Sequence, residues 1–230
     1  GDNSVFLGLQ AGFNDDGSNN QNTFIGTQAG YTNTTGLSNT ASGFQALYSN
    51  TIGNYNVASG FQALYSNISG NWNVATGVQA LYSNIIGNYN VATGIQALHD
   101  NTTGYRNTAV GNLALFANIT GYRNTAIGGD ALHNNNTGYE NTAIGTAALF
   151  ANSTGNYNTA LGASAFASGL NYSNSTALGY YALISDNNQV RVGNTSVNSI
   201  GGEVGWTTLS DARIKHSVQE NVPGLDFIKV

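Results

Sequence analysis

The stretch NTAIGTAALFANSTGNY, residues 141–157, decides how the chain is read, because its landmarks recur in both directions along the sequence. Its first glycine belongs to the series Gly26, Gly43, Gly60, Gly77, Gly94, Gly111, Gly128, Gly145, Gly162 and Gly179, spaced by 17 residues without exception. Gly8 precedes the series by 18. A second glycine series runs in step from Gly36 through Gly53 to Gly155. An Ala-Leu pair keeps the same period from Ala46-Leu47 to Ala148-Leu149, then continues as Ala165-Phe166 and Ala182-Leu183. Two asparagine series are also in register. One is Asn22, Asn39, Asn56, Asn73, Asn90, Asn107, Asn124, Asn141 and Asn158; the other runs from Asn33 through Asn50 to Asn152.

A 17-residue unit is too short to bury an apolar face alone, so successive units must stack and cover one another. Residues 141–144 alternate as a short strand does, ending at a glycine where the chain turns. Beyond it, Gly145, Ala148, Leu149 and Asn152 fall at helical spacing, with Gly155 placed as a left-handed cap. The same stretch also reads as a second strand. Both readings give a mainly β repeat protein, a solenoid or β-roll of 17-residue coils. With parallel strands ~4.8 Å apart, ten or so coils make a rod roughly 50 Å long. Alanine, valine and leucine provide only a narrow core, while every glycine adds to the backbone entropy lost on ordering. Burial against identical chains, closed by cyclic symmetry, would supply the shortfall.

Composition excludes several classes. Only 7% of the 230 residues are charged, net charge is −5, and six residues are basic, so a nucleic-acid footprint is missing. Thirty glycines without a three-residue period, and a single proline, exclude collagen. No apolar run approaches the ~20 residues needed to cross a bilayer, and without cysteine there is neither a disulfide nor a zinc-thiolate site. Neither cofactor nor metal is expected. Asn14, Asp15, Asp16, Gly17, Ser18 and Asn19 offer oxygen ligands of the kind calcium takes, but an acidic turn explains them as well. No Ser-His-Asp set or carboxylate pair converges, His99, His133 and His216 are scattered, and no catalytic centre is expected in this chain.

Asparagines in register are expected to form hydrogen-bonded amide ladders along the axis. Asn67, Asn101, Asn118 and Asn152 also stand in Asn-x-Ser/Thr sequons. One aromatic slot, Tyr48, Tyr65, Tyr82, His99, Phe116, His133 and Phe150, follows the Ala-Leu pair and reads as packing. Another holds Tyr55, Trp72, Tyr89, Arg106, Arg123, Glu140 and Tyr157; its tolerance of charge implies exposure. Tyr55, Trp72 and Tyr89 would then make a surface strip suited to lateral packing or to a glycan or protein receptor.

The composition shifts near residue 185. Residues 1–185 form the repeat array, residues 186–209 a neck with one strand at Val190 and Val192, and residues 210–230 a separate, more charged segment. The tail TTLSDARIKHSVQENVPGLDFIKV carries Ser210-Asp211, Arg213, Lys215, the apolar Ile214 and Val218, and Gly224-Leu225-Asp226-Phe227-Ile228. It resembles the opening of the intramolecular chaperone domain at the C-terminus of phage endosialidases, tailspikes and bacterial surface fibres. The repeats are similar to those of such fibres and, more distantly, to trimeric autotransporter adhesin heads, whose coils begin with an Asn-Ser/Thr-x-Ala-Ile-Gly pattern. The resemblance implies a parallel homotrimer assembled by the chaperone, which in that family often cleaves itself off after the serine matching Ser210, with the lysine matching Lys215 as base. Only about twenty residues follow Ser210 here, so no proteolysis is expected in this chain, and Ser210 and Lys215 would act only in a longer form. The expected function is a structural and attachment module of an extracellular trimeric fibre, on a virion tail, an injection system or a cell surface. It would bind a receptor or present a tip. A self-processing precursor and an ice-binding solenoid are the alternatives.

Overall fold

The computed structural model describes residues 3–166 and 171–200. It is an all-β solenoid whose twelve three-residue strands form one parallel sheet in strict sequence order. The first two are β1 (Val5–Leu7) and β2 (Thr23–Ile25), the last two β11 (Thr176–Leu178) and β12 (Val190–Val192). Between them β3 to β10 begin at Thr40, Val57, Val74, Val91, Thr108, Thr125, Thr142 and Thr159. From β2 to β11 each residue pairs with the one 17 positions on, as Ala58 does with Ala75. Coils are numbered here from the asparagine before each strand, so that coil 2 is residues 22–38, coil 3 residues 39–55 and coil 10 residues 158–174.

A three-residue strand can turn only its central side chain inward. That residue is alanine from Ala41 to Ala177, fully buried in every coil, while its neighbours face outward. The opposite wall of the core is the Ala-Leu pair, also fully buried from Ala46-Leu47 to Ala148-Leu149. Alanine facing Ala-Leu fixes the thickness of the rod.

The Ala-Leu stretch is neither of the two forms the spacing suggests. It is a pair of β-turns. The N–H of Ala46 donates to the Gly43 carbonyl at 3.4 Å, with Gln45 at φ 53° in the third position, where type II turns need a positive φ. A second turn follows, closed by Asn50 N–H on the Leu47 carbonyl at 3.4 Å. Leu47 itself sits at φ 55°, and its counterparts from Leu64 to Leu149 repeat the value within a few degrees. A left-handed residue ends both helix and strand. For a leucine it is costly, on the order of 1–3 kcal/mol. The offset is the bonding between coils: Leu47 N–H reaches the Ala63 carbonyl and Ser49 N–H the Tyr65 carbonyl, both at 2.9 Å.

The two glycine series serve different ends. The series containing Gly43 lies at φ 107–140°, and from Gly8 to Gly162 a Cβ there would strike the carbonyl group of the next coil's glycine. The series containing Gly53 has no positive φ, so the left-handed cap expected at Gly155 is absent. Glycine is required there for space, because a Cβ would overlap the Oδ1 of Asn50 and the carbonyl of Gly70.

Coils 1 and 2 solve the core differently. Their central strand residues are Phe6 and Phe24, and the leucine slot holds Gly12 and Gly30 at φ 59°. The Phe24 ring occupies the space a side chain at Gly30 would need. Phenylalanine plus glycine thus replaces alanine plus leucine across the same gap. At the other end, the strand expected at 190–192 is present as β12, and it pairs with β11 through Thr176 and Val190. The sheet therefore runs past the boundary placed at 185, with β12 as its last strand among the described residues. Residues 1–196 form one compact unit. The calls on Ser210, Lys215 and the 210–230 segment lie outside the described residues.

Candidate functional site

The polar interior accounts for the asparagine series. Asn56 donates from Nδ2 to Asn39 Oδ1 at 3.2 Å and to the Gly70 carbonyl at 2.8 Å, and its backbone N–H donates to the same Asn39 Oδ1 at 2.9 Å. The pattern repeats through Asn73, Asn90, Asn107, Asn124 and Asn141. A second ladder runs from Asn33 to Asn152, with amide spacings of 2.7–2.9 Å. All carboxamides point the same way, each Nδ2 toward the preceding coil. Sequons at Asn67, Asn101, Asn118 and Asn152 lie within this ladder with Nδ2 buried and donating, so the folded chain presents none of these four to a transferase.

Because the ladders are polar, their N-terminal ends are rows of amide donors. Asp15 terminates both. Its Oδ2 accepts from Asn22 at 3.2 Å and Asn33 at 3.1 Å, and its Oδ1 from Asn20 Nδ2 at 3.2 Å and Gly17 N–H at 3.1 Å. A carboxylate accepts only, which suits a donor-rich end. The Asp15 and Asp16 carboxylates that sequence reading offered to calcium thus accept from amide N–H groups. Hydrogen bonding from Ser18, whose N–H donates to Asp16 Oδ1 at 2.9 Å, holds that carboxyl below the usual range. At the far end, Asn158 Oδ1 accepts from the N–H of Ser175, whose hydroxyl bonds carbonyl oxygens and closes the ladder.

The aromatic slot after the Ala-Leu pair is a half-buried stack along the outside of the core. Rings from Phe13 and Tyr31 to Phe150 lie 5.0–5.3 Å apart and nearly parallel, with His99 and His133 inserted between aromatic neighbours. Burial, and then the charge that Tyr82 and Tyr48 would carry, raise the Tyr65 pKa.

The exposed strip is a longer seam than the sequence suggested. Tyr55, Trp72 and Tyr89 are half exposed and stacked, with centroids 4.1 and 6.4 Å apart and planes within 14°. The Arg106 guanidinium continues the column 5.8 Å from the Tyr89 centroid. The aromatic position then moves back one residue, to Tyr105, Tyr122 and Tyr139, stacked at 4.9 and 4.8 Å, and returns at Tyr157, edge-on to Tyr139. Arg123 and Glu140 fill the vacated column as an ion pair of 2.8 Å. Counting Leu37, coils 2–9 each carry a single large apolar side chain in this two-residue window. The rings stack on one another while their side chains stay about half exposed.

A second window straddles the turn after each strand. In coils 3–6 the exposed apolar residue follows the glycine, as Phe44, Phe61, Val78 and Ile95, with serine or threonine at the strand end. In coils 7–10 it precedes the glycine, as Val110, Ile127, Ile144 and Leu161, and Asn112, Gly129, Thr146 and Ala163 follow. Again each coil has one large apolar side chain, on one side or the other. This compensation went unread in the sequence, although comparing each coil's two flanking slots would have found it. It also breaks the threonine rank an ice-binding face needs, since threonine moves from Thr76 and Thr93 to Thr108 and Thr125 on the other side of the strand.

Other candidates are small. A cleft of about 90 Å³ lies among Tyr181, Leu183, Arg191, Asn194 and Thr195, well below the roughly 300 Å³ of an ordinary ligand pocket. Among the described residues no three His, Cys, Asp or Glu side chains gather as metal ligands, and no helix is long and apolar enough to cross a membrane. No family model, curated protein or solved structure matches the chain.

Proposed function

We propose that this chain is the shaft or head module of a homotrimeric extracellular fibre, serving attachment on a virion tail, an injection system or a cell surface. One observation carries the reading. The sheet face of the rod is bordered along its length by large exposed or half-buried apolar and aromatic side chains, one per coil in each of two windows, on an array almost empty of charge between residues 17 and 185. Isolated soluble chains rarely present so continuous an apolar surface. The resemblance of the repeats and tail to trimeric fibres supplies the number three and the extracellular setting. Three parallel copies would multiply weak receptor contacts along the sides, or hold a tip. Receptors of glycan or protein chemistry fit this reading; nucleic acid and membrane insertion do not. Light scattering tests it: the expected mass is about three times the 23.9 kDa of one chain, and a stable monomer overturns it.

A further inference from the structure

A rod of identical rungs has a register problem. Copies packed side by side can slide by one coil, ~4.8 Å, and meet nearly the same surface again, much as a uniform strand pairing slips. We infer that copies of this chain pack parallel on their sheet faces, and that the change of apolar column near coils 6 and 7 is the key fixing their register. The inference rests on the homo-oligomeric reading above and assigns its interface.

Three observations support it. Each border of the face keeps one large apolar side chain per coil while changing which slot holds it, so what persists is the surface and not a residue at one position. Both borders change within about one turn here, the seam between Tyr89 and Tyr105 and the other window between Ile95 and Val110, as both also do between coils 2 and 3, from Leu37 to Tyr55 and from Ile25 to Phe44. An occupant that follows both must itself change at that height. A parallel copy in register does so by symmetry; an antiparallel copy does so only about a two-fold axis at the coil 6–7 boundary, which would set coil 4 against coil 9, and a uniform polymer does not. The size also fits. Coils 2–10 span about 40 Å, and the two borders are roughly 20 Å apart along the chain, giving a face on the order of 800 Å², one partner's share of a standard interface.

Two experiments on the 230-residue chain test this. Ile127→Asp with Ile144→Asp charges the face at side chains a single chain already exposes, so the coils still form; Ile119→Asp, exposed on another side, is the control. The expected result is loss of the oligomer in the first variant and an unchanged mass in the second, with the same circular dichroism. An oligomer that survives the double substitution overturns the interface and leaves the fibre reading standing; a wild-type monomer overturns both. The chain has no cysteine, so Ser59→Cys in coil 4 and Thr76→Cys in coil 5 report register directly. With a short thiol linker, mixed variants should link like with like several-fold more often than 59 with 76. Equal yields overturn the key. So does an unchanged preference after Val110→Thr/Asn112→Val, Ile127→Thr/Gly129→Val, Ile144→Thr/Thr146→Val and Leu161→Thr/Ala163→Val, together with Tyr105→Asn/Arg106→Tyr, Tyr122→Asn/Arg123→Tyr and Tyr139→Asn/Glu140→Tyr, have erased the switch from both borders.

Discussion

Coils 3–6 and coils 7–9 have one interior and two exteriors. Inside, both repeat the same buried alanine, Ala-Leu pair, two asparagines and close-packed glycines. Outside, residues trade places. Phe61 and Val78 beyond the turn become Ile127 and Ile144 before it, and the tyrosine ladder Tyr48, Tyr65, Tyr82 gives way to His99, Phe116, His133, Phe150. The difference separates two kinds of constraint. Interior slots are set by contact with the coils above and below, where an added atom meets backbone. Exterior slots answer to a surface requirement that two neighbouring positions can satisfy equally well.

If so, interior substitutions should cost the same in both regions, and the ladder is the severest test. Asn73→Ala in coil 5 removes bonds to Asn56 Oδ1 and the Gly87 carbonyl and strands the N–H of buried Asn90; Asn124→Ala in coil 8 does the same to Asn107, Gly138 and Asn141. With buried groups unpaired at about 1–3 kcal/mol each, either variant should lose about 4 kcal/mol. Denaturant unfolding of both variants measures this. A gap above about 1 kcal/mol between them would mean that the interiors are not equivalent.

The core exchange in coil 2 sharpens the point with a smaller effect. Phe24→Ala empties the space beside Gly30 and should cost about 3 kcal/mol. Gly30→Leu alone drives a side chain into the Phe24 ring. Together they rebuild the alanine-leucine pair of the later coils, whose leucines already occupy the φ that Gly30 adopts. The double variant should therefore return to within about 1 kcal/mol of the parent, and a double-mutant cycle in denaturant reads the coupling. Additive losses would show that coil 2 has its own backbone geometry.

These cases also show what could be read from sequence. The strands, their buried alanines, the stacking order and the asparagine ladders follow from a period whose fixed slots admit only small or amide side chains. The turns at Gln45 and Leu47 were not legible, because neither residue favours positive φ by itself; the carbonyls of adjacent coils impose it. Asp15 was missed as a ladder terminus because its partners, Asn22 and Asn33, lie 7 and 18 residues away, and only the polarity of the ladders makes a carboxylate the fitting end. The seam at Tyr55, Trp72 and Tyr89 was placed correctly on the surface, but its shift to Tyr105 changes slot and so escapes a search for fixed spacing.

Exterior stacking should be equally available to both regions despite the shift. Trp72→Ala interrupts the first column and Tyr122→Ala the second, each removing a ring held between two others. Stacked pairs contribute roughly 0.5–1.5 kcal/mol, so each variant should lose about 1 kcal/mol by thermal or denaturant unfolding. A loss confined to Trp72→Ala would mean that the Arg123–Glu140 pair beside Tyr122, solvent-exposed and so weak, substitutes for its ring.

Alkaline titration should then separate the regions. Tyr65 in the folded chain holds its proton to higher pH than the ordinary phenol near 10, first because burial disfavours the anion and then because Tyr82 and Tyr48 would ionise beside it. A pKa raised by folding leaves stability untouched below that of the unfolded chain and withdraws it as pH climbs through the folded value. Coils 3–5 carry this liability in their half-buried stack, at ring spacings of 5.0–5.1 Å. Coils 6–9 place histidine and phenylalanine there, and their raised tyrosines, Tyr122 and Tyr157, lie on the seam where solvent screens the charge. Hydrogen exchange above pH ~10 should show coils 3–5 opening before coils 6–9. Tyr65→Phe should delay that opening while leaving coils 6–9 unchanged, whereas simultaneous opening would mean that the two regions melt as one cooperative unit and that the ladder's composition has no local consequence.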